Sequence, residues 1–157
     1  MASEKYAKLS TFHVGDYCFG IEVSLVQEVL RRQKIFYVPL ADNAVQGLIN
    51  IRGQIITAIS LRQRLQFTGK DNPDEHFNVI SISSTGPVSF IVDSIGDVIN
   101  LPRSLYEPTP THLVASMRDM IGGVYKHEKQ LLLLLDVNKA VMSHHGLWGA
   151  DSPKIMN

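Results

Sequence analysis

Short apolar runs, several of them with period-two alternation, recur along the chain and predict a mostly β fold. Leu9 to Val14 and Tyr17 to Val23 flank the turn Gly15-Asp16, a pattern that is typical of a hairpin. Later strands are predicted at 77–82, 88–92, 97–101 and 131–135, with shorter apolar stretches at 29–30 and 35–38. The strand at 131–135 is apolar throughout, which indicates burial on both of its faces.

A second hairpin is predicted between Val45 and Leu61, where two apolar runs meet at Arg52-Gly53. Glycine supplies the positive φ angle that a tight turn requires. Asn50 and Arg52 bring polar chemistry to a place where a hairpin needs none. Because no nucleophile, metal-ligand cluster or phosphate loop accompanies this arginine, the pattern favours a docking surface.

The predicted helices are short. They are a turn over residues 25–28 capped by Ser24, one exposed turn over Leu61 to Leu65, and a C-terminal helix from Val137 to about Met142 capped by Asp136. The expected architecture is therefore mostly β, with short helices and a helix near the C-terminus.

The strand pattern restarts after the polar segment 69–75, which suggests two similar halves. A shift of 69 residues places Val29 on Val98, and a shift of 75 to 76 residues places Gly47 on Gly122. Chance similarity between two β-rich halves is the other explanation of this match. The repeat interpretation predicts two similar small β-barrels in tandem.

We accordingly predict a single domain over residues 1–157 that contains two tandem five-stranded barrels. The first barrel is expected at residues 9–68 and the second at 76–142, with an exchange of strands between them left open; residues 146–157 are expected to form a loose tail. A barrel of about 70 residues is filled by its own side chains. The groove between the two barrels is then the natural recess for a partner.

Composition indicates a globular protein without an obvious electrostatic target. The 157 residues are 45% apolar, and 15 basic residues balance 15 acidic ones, so no footprint for nucleic acid is visible. The single cysteine, Cys18, is predicted to be a buried, inert thiol. The N-terminus lacks the apolar region of a signal peptide, and the apolar run Leu131 to Leu135 is too short to cross a bilayer. We therefore expect a cytoplasmic location and no direct insertion into a membrane.

Residues with catalytic or metal-binding chemistry form no recognisable constellation. The six histidines are scattered; they are His13, His76, His112, His127, His144 and His145. No serine lies in a nucleophile elbow. Asp93 and Asp97 fit turn and strand-edge positions better than a paired acid and base. We therefore predict no catalytic residue, no metal site and no cofactor.

Glu28 and Arg52 form the most informative polar pair in the sequence. The apolar neighbours of Glu28 are expected to draw it close to the core, while Arg52 lies at the predicted hairpin tip. A carboxylate and a guanidinium form a strong, directional fork when they meet. Such a pair either holds the turn against the first barrel or shapes a contact surface for a partner, and both roles are compatible.

The segment from Gly47 to Gly53, followed by a strand that ends in Leu61-Arg62, resembles the signature of the CheW family of bacterial chemosensory coupling proteins. Three further segments resemble elements of that family: residues 26–29, residues 91–99, and residues 131–137. The resemblance covers the chain from about Leu9 to Met142. Two positions depart from the family pattern, since Thr57 stands where proline is usual and Ser60 where aspartate is usual.

This resemblance implies a pair of Src-homology-3-like five-stranded barrels and a non-catalytic adaptor. The adaptor would join the cytoplasmic tip of a methyl-accepting chemoreceptor to the regulatory domain of a CheA-type histidine kinase, and the shared fold of kinase and coupler would allow alternation in rings, with self-association left open. It would be recruited from the cytoplasm to membrane receptor arrays.

Two groups of site residues follow from the resemblance by position. Those expected to line or support the receptor-facing region are Val26, Glu28, Val29, Gly47, Asn50, Arg52 and Gly53. Those expected at the kinase-facing edge of the first barrel are Ile35, Tyr37 and Val38. Trp148 is compatible either with packing of the C-terminal helix or with an exposed partner anchor.

Two other functions remain open on the sequence alone. One is a similar adaptor in a pathway that controls surface motility or second-messenger signalling. The other is a small β-barrel enzyme or ligand-binding protein, which requires a deep polar pocket with at least two convergent titratable groups.

Overall fold

The computed structural model describes residues 5–39 and 44–142. The predicted tail at 146–157, together with His144, His145 and Trp148, lies outside the described residues. Strands account for most of the regular structure. In the described residues no helix combines the length and apolarity that crossing a membrane requires.

Eleven strands are present in the described residues. In chain order they are β1 (Tyr6–Val14), β2 (Tyr17–Glu22), β3 (Val26–Arg31), β4 (Val45–Ile51), β5 (Gln54–Ser60), β6 (Phe77–Ser83), β7 (Gly86–Val92), β8 (Ser94–Pro102), β9 (Tyr106–Glu107), β10 (Ile121–His127) and β11 (Gln130–Leu135). The α-helices are α1 (Leu61–Leu65), α2 (Ala115–Arg118) and a helical segment over residues 137–142, which we call α3. Single 3-10 turns cover Val23–Leu25, Pro73–Glu75 and Arg103–Leu105.

The first sheet has six strands in the order β8-β1-β2-β11-β10-β9. Its two edge strands, β8 and β9, are joined directly by the 3-10 turn Arg103–Leu105. The backbone N–H of Arg103 also donates to the carbonyl oxygen of Lys5, 2.8 Å away, just before β1. Because the chain itself connects the two edges, this sheet curls into a small barrel.

The second sheet has five strands in the order β3-β6-β7-β5-β4. Its edges approach each other through the segment that follows β3. Phe36 N donates to Leu48 O at 2.7 Å, and Leu48 N donates to Phe36 O at 2.8 Å. The chain that leaves one edge strand thus pairs with the other edge strand, so this sheet also closes on itself.

Gly47 permits that closure. A Cβ atom at this position would lie 2.2 Å from the carbonyl oxygen of Phe36 and 2.8 Å from Cγ2 of Ile35. The φ angle of Gly47 is +150°, and the β4–β5 register shifts between Val45 and Gly47. Only a residue without a side chain lets the segment around Phe36 come this close to β4.

Each sheet combines strands from both halves of the chain. The hairpin β1–β2 lies in the six-stranded sheet with β8 to β11, whereas the hairpin β6–β7 lies in the five-stranded sheet with β3 to β5. The pairings β1–β8 and β3–β6 are equivalent, as are the parallel pairings β2–β11 and β5–β7. The two halves therefore repeat in sequence order and exchange their first hairpins.

The two halves also share a local feature, a glycine at an equivalent position of β4 and β10. Gly47 and Gly123 both follow a register shift, and their φ angles are +150° and +157°. Gly47 is thus matched by Gly123 rather than by Gly122. The division into subdomains 9–68 and 76–142 stays a prediction, and the described sheets do not follow it strand by strand.

Three apolar clusters explain how the sheets pack. One lies within the six-stranded sheet and includes Leu9 and Leu132, and one lies within the five-stranded sheet and includes Ile49 and Ile80. The largest cluster is shared by both sheets; its members include Phe12, Phe19, Phe90, Ile59, Ile121 and Leu133. Both faces of each sheet are therefore used, one inside its own barrel and one in the common core.

Strand β11 is buried as its uniform apolar sequence predicts. Leu132 packs in the six-stranded sheet's own cluster, whereas Leu133 and Leu135 pack in the shared core. Leu131, at the start of the strand, is the exposed exception. The predictions of a mostly β fold, two small barrels, short helices and a buried Cys18 are confirmed, although the two-residue strand β9 raises one sheet to six strands.

Two local predictions are wrong. Residues 25–28 are not helical: a 3-10 turn ends at Leu25 and β3 begins at Val26, because this stretch pairs with β6 and alternates in burial. Helix α1 is present but is not simply exposed, since Leu61 and Leu65 are buried in the shared core. Ser60 caps α1 by accepting from Gln63 N at 3.2 Å.

Candidate docking site at the β4–β5 hairpin

The tip of the β4–β5 hairpin is a two-residue turn. Ile51 pairs with Gln54, so Arg52 and Gly53 form the turn, with φ angles of 50° and 86°. Two positive φ angles are what a type I′ turn requires, and Asn-Gly is the usual sequence for it. Asn50 Oδ1 accepts from Gly53 N at 2.8 Å and stabilises the reversal.

Arg52 is an unusual residue for this position. A non-glycine residue in the left-handed region costs about 1–2 kcal/mol, and asparagine tolerates the region better than arginine. The hairpin would therefore form more readily with another residue at its tip. Backbone strain of this kind recurs at functional sites, where a side chain is retained for its chemistry.

Glu28 on β3 holds the guanidinium of Arg52. Nη2 of Arg52 donates to both carboxylate oxygens of Glu28, with a distance of 2.7 Å to Oε1. The side chain of Glu28 is 23% exposed and that of Arg52 is 68% exposed. The carboxylate is thus the better-sheltered partner, and it presents a positively charged group to solvent in a defined position.

The structure brings only part of the receptor-facing set together by direct contact. Glu28 contacts Arg52, and Asn50 contacts Gly53. Val26 and Val29 lie on β3 beside Glu28, half-buried and exposed respectively. Gly47 differs from the rest because it is buried behind the Phe36 backbone, so it can support the site without touching a partner.

The kinase-facing set lies on the segment after β3. Ile35 is half-buried and packs against the cluster inside the five-stranded sheet. Tyr37 is 87% exposed, and Val38 is half-buried. The Phe36–Leu48 pairing places this segment against β4, next to Gly47 of the receptor-facing set.

A polar cluster at the junction of the two sheets was not anticipated. Nε and Nη2 of Arg62 on α1 donate to the two carboxylate oxygens of Asp93, at 2.8 and 2.9 Å. Asp93 Oδ2 also accepts from Gly15 N in the β1–β2 turn at 2.7 Å. Arg62 is only 13% exposed, and its hydrogen bond to Asp93 raises the pKa of the guanidinium above its ordinary value.

The same cluster anchors the segment between the two halves. Arg62 Nη2 donates to Lys70 O at 2.7 Å, and Arg62 Nε lies 3.3 Å from Asp71 Oδ1. Asp71 Oδ1 also lies 2.5 Å from His76 Nε2. The cluster therefore fastens the polar segment 69–75 and the β1–β2 turn to α1. Proximity in sequence gives no sign of this contact, because Asp93 lies 31 residues from Arg62.

The geometry of this cluster argues against a metal ion. Asp71, His76 and Asp93 offer ligand atoms within 4.8 Å of one another. The Arg62 guanidinium, however, already contacts one carboxylate oxygen of Asp71 and one of Asp93, so a positive charge stands where a cation would bind. A divalent ion would have to displace a well-bonded arginine, which makes a structural clamp the better interpretation.

Comparison with known proteins identifies the family. A family model described as the CheW-like domain matches residues 8–144. The chain belongs to the CheW family. Relatives named chemotaxis protein CheW include one from Bacillus subtilis, 30% identical over 131 residues that cover 83% of this chain and 84% of the relative. Another, from Treponema pallidum, is 26% identical over 146 residues that cover 90% of this chain and 85% of the relative.

A solved CheW structure has the same fold. The crystal structure of the scaffolding protein TtCheW from Thermoanaerobacter tengcongensis aligns with a TM-score of 0.79 at 22% identity, over 85% of this chain and 91% of that chain. Membership of the CheW family supports a chemotaxis scaffold as the general role of this chain. It assigns no role to individual residues of the hairpin.

Proposed function

We propose that this protein is a non-catalytic adaptor that couples methyl-accepting chemoreceptors to the regulatory domain of a CheA-type histidine kinase. The family match over residues 8–144 supports this proposal. In it, the adaptor is recruited from the cytoplasm to membrane receptor arrays, where it can alternate with the kinase regulatory domain in rings.

The observation that carries the proposal is the state of Arg52. This arginine adopts a backbone conformation that disfavours it, and a sheltered carboxylate on another strand holds its exposed guanidinium. A turn that served only to reverse the chain would not need either feature. A fixed, solvent-facing cation is what a docking surface requires in order to orient a partner.

The receptor-facing surface in this proposal is centred on the Glu28–Arg52 pair. Asn50 and Gly53 complete the hairpin tip, Val26 and Val29 extend the surface along β3, and Gly47 supports it from behind. The kinase-facing surface consists of Ile35, Tyr37 and Val38. Because Phe36 pairs with Leu48, the two surfaces share a backbone connection.

Such an arrangement can couple two binding partners without catalysing a reaction. An adaptor that binds two partners in one geometry lets the conformational state of one bias the state of the other, and the effect is a coupling free energy. In the described residues Arg62, Asp71, His76 and Asp93 line a polar recess, and its carboxylates are already paired with a guanidinium. This supports an adaptor over an enzyme or a ligand-binding protein.

Reconstitution tests the proposal directly. Purified protein is added to receptor-containing membranes and to the CheA-type kinase of the same organism, and autophosphorylation is measured with and without attractant. We expect the protein to be necessary for receptor control of the kinase. If receptors control the kinase equally well without it, the proposal is wrong.

A pull-down from native lysate then identifies the pathway. Co-purification of a kinase and receptors of a flagellar system supports chemotaxis. Co-purification of components that control surface motility or second-messenger synthesis would instead assign the adaptor to that pathway.

A further inference from the structure

The segment after β3 combines positive charge with exposed aromatic rings. Arg31, Arg32 and Lys34 are all exposed, and they are followed by Phe36 and Tyr37. These two rings are 49% and 87% exposed. From residue 29 to residue 39 the sequence contains no aspartate or glutamate. We call residues 31–37 the basic–aromatic segment.

Two of its three cations lack a carboxylate partner among the described residues. The guanidinium of Arg31 lies 5.5 Å from the ring centroid of Phe77, and the ammonium of Lys34 lies 5.2 Å from that of Phe36. Arg32 alone is paired, with Nη1 2.8 Å from Asp74 Oδ1. The aromatic contacts position the charges of Arg31 and Lys34 without neutralising them.

Tyr37 has the properties of an interface anchor. Its ring is almost fully accessible although it follows directly on the ordered Phe36–Leu48 pairing. Large, rigid aromatic side chains dominate binding energy at protein interfaces, and they act best at the centre of a patch with a polar rim. The charged residues that precede Tyr37 in this segment, Arg31 and Lys34, are both basic and both exposed.

We propose that the basic–aromatic segment docks on a protein surface that has an apolar centre for Tyr37 and a rim of carboxylates for Arg31 and Lys34. This inference rests on the proposed function, in which Ile35, Tyr37 and Val38 face the kinase regulatory domain, and it specifies the chemistry of the patch that they meet. The positive charges of Arg31 and Lys34 favour a partner surface that carries carboxylates. Rim charges act mainly on the rate of association, and the buried aromatic group acts mainly on the rate of dissociation.

The number of free cations favours a protein over an anionic membrane. Recognition of anionic lipid typically takes a cluster of about four to eight lysines or arginines. This segment offers three, and Asp74 neutralises one of them. Two positioned charges in a segment with one almost fully exposed ring suit a discrete acidic patch better than a charged bilayer.

The test measures binding of the purified kinase regulatory domain by surface plasmon resonance at low and at moderate salt. We expect the affinity of the unmodified protein to fall by about tenfold between about 50 and 300 mM NaCl, through the association rate constant. Lys34→Gln should lower the association rate constant about threefold at low salt and weaken its salt dependence. Lys129→Gln, which removes an exposed lysine from the β10–β11 turn, is the matched control and should leave both unchanged.

Tyr37→Ala separates the two parts of the surface. It should raise the dissociation rate constant about tenfold or more at both salt concentrations and leave the salt dependence intact. Thermal unfolding of each variant is compared with that of the unmodified protein, and only variants with an unchanged transition are interpreted. Binding that does not respond to salt, or to Lys34→Gln beyond the effect of Lys129→Gln, overturns the inference while the adaptor proposal survives.

Two other outcomes also decide the matter. If the unmodified protein does not bind the regulatory domain at either salt concentration, both the kinase part of the proposed function and this inference are wrong. If vesicles of phosphatidylglycerol and phosphatidylethanolamine capture the protein and Lys34→Gln abolishes capture, while the kinase domain shows no dependence on Lys34, the segment binds membranes and the inference is overturned.

Discussion

Arg52 Nη2 donates to both carboxylate oxygens of Glu28, and it does so from a residue in the left-handed backbone region. Exposed ion pairs contribute only about 0.2–1 kcal/mol to stability. The left-handed conformation costs an arginine about as much or more. The pair therefore does not account for the presence of arginine at the hairpin tip by stability alone, and this contrast allows a sharp test of function.

Arg52→Asn should separate folding from binding. Asparagine suits a type I′ turn, so the free energy of unfolding should stay the same or rise by up to about 1 kcal/mol. The exposed guanidinium is lost, so binding to receptor or kinase should weaken. Urea denaturation and a pull-down on the same preparation check the two halves of this prediction.

Two further variants complete that test. Glu28→Gln keeps Arg52 but loosens its position, and it should weaken binding less than Arg52→Asn does. Arg52→Glu reverses the charge and should bind worst. If Arg52→Glu stays folded and binds both partners normally, Arg52 has no role in docking.

Gly47→Ala should open the closure of the five-stranded sheet. The new Cβ would collide with the backbone of Phe36, which cannot move without losing its pairing with Leu48. We expect a loss of about 2 kcal/mol or more in unfolding free energy, and faster hydrogen exchange at the amides of Phe36 and Leu48. Gly69→Ala is the control, because no atom lies within 4 Å of a Cβ there, and it should change stability by less than about 0.5 kcal/mol.

Leu133→Ala should destabilise the molecule far more than Leu131→Ala. Both residues lie on β11, but Leu133 is 2% exposed in the shared core and Leu131 is 38% exposed. A cavity in the core costs about 2–5 kcal/mol, whereas the exposed truncation should cost less than about 1 kcal/mol. Chemical denaturation measures both. Equal losses would contradict the assignment of Leu133 to a core that both sheets share.

Asp93→Asn should loosen the junction of the two sheets. It leaves the sheltered guanidinium of Arg62 without its main carboxylate partner and weakens the acceptor for Gly15 N. We expect a loss of about 2 kcal/mol in unfolding free energy and easier proteolysis in residues 69–75. Asp97→Asn, at an exposed strand position nearby, is the control and should be close to neutral.

The buried thiol of Cys18 should make the free energy of unfolding fall at alkaline pH. Burial raises the pKa of its thiol above the ordinary value of 9.0, so folding favours the protonated form. The stability that the protonated thiol contributes is fully present below the pKa that the thiol has in the unfolded chain. It is lost as the pH rises through the higher pKa of the thiol in the folded protein. Cys18→Ala should therefore lose less stability between about pH 7 and about pH 10 than the unmodified protein does. Urea denaturation at the two pH values decides this, and an equal loss in both proteins would contradict it.

The parts of the fold that local pattern determines were predictable. Period-two alternation located the β1–β2 hairpin, two apolar runs that meet at Arg52-Gly53 located the β4–β5 hairpin, and the uniform apolar run located β11 and its burial on two faces. The helix predicted over residues 25–28 is wrong because residues 26–31 form a strand that pairs with β6, about fifty residues away in sequence. Local propensity carries no trace of such a partner.

The candidate site shows the same limit. Arg52 and Glu28 could be paired in advance because each stood out against its apolar neighbours, and the structure joins them. The Arg62–Asp93 clamp could not, since α1 and the end of β7 meet only once the two halves have exchanged hairpins. The strained φ of Arg52 also needed coordinates, although Arg-Gly at a two-residue turn was the signal for it.

The exchange of hairpins sets an order of events for a chain emerging from the ribosome. After residue 68 has appeared, β3 to β5 still lack the central pair of strands that joins them, so no complete sheet exists. The five-stranded sheet becomes possible once Val92 is free, and the six-stranded one only after Leu135. The nascent β1–β2 hairpin must wait for β8 and β11 to be synthesised, and during that interval its apolar residues lack the strands that flank them in the finished sheet.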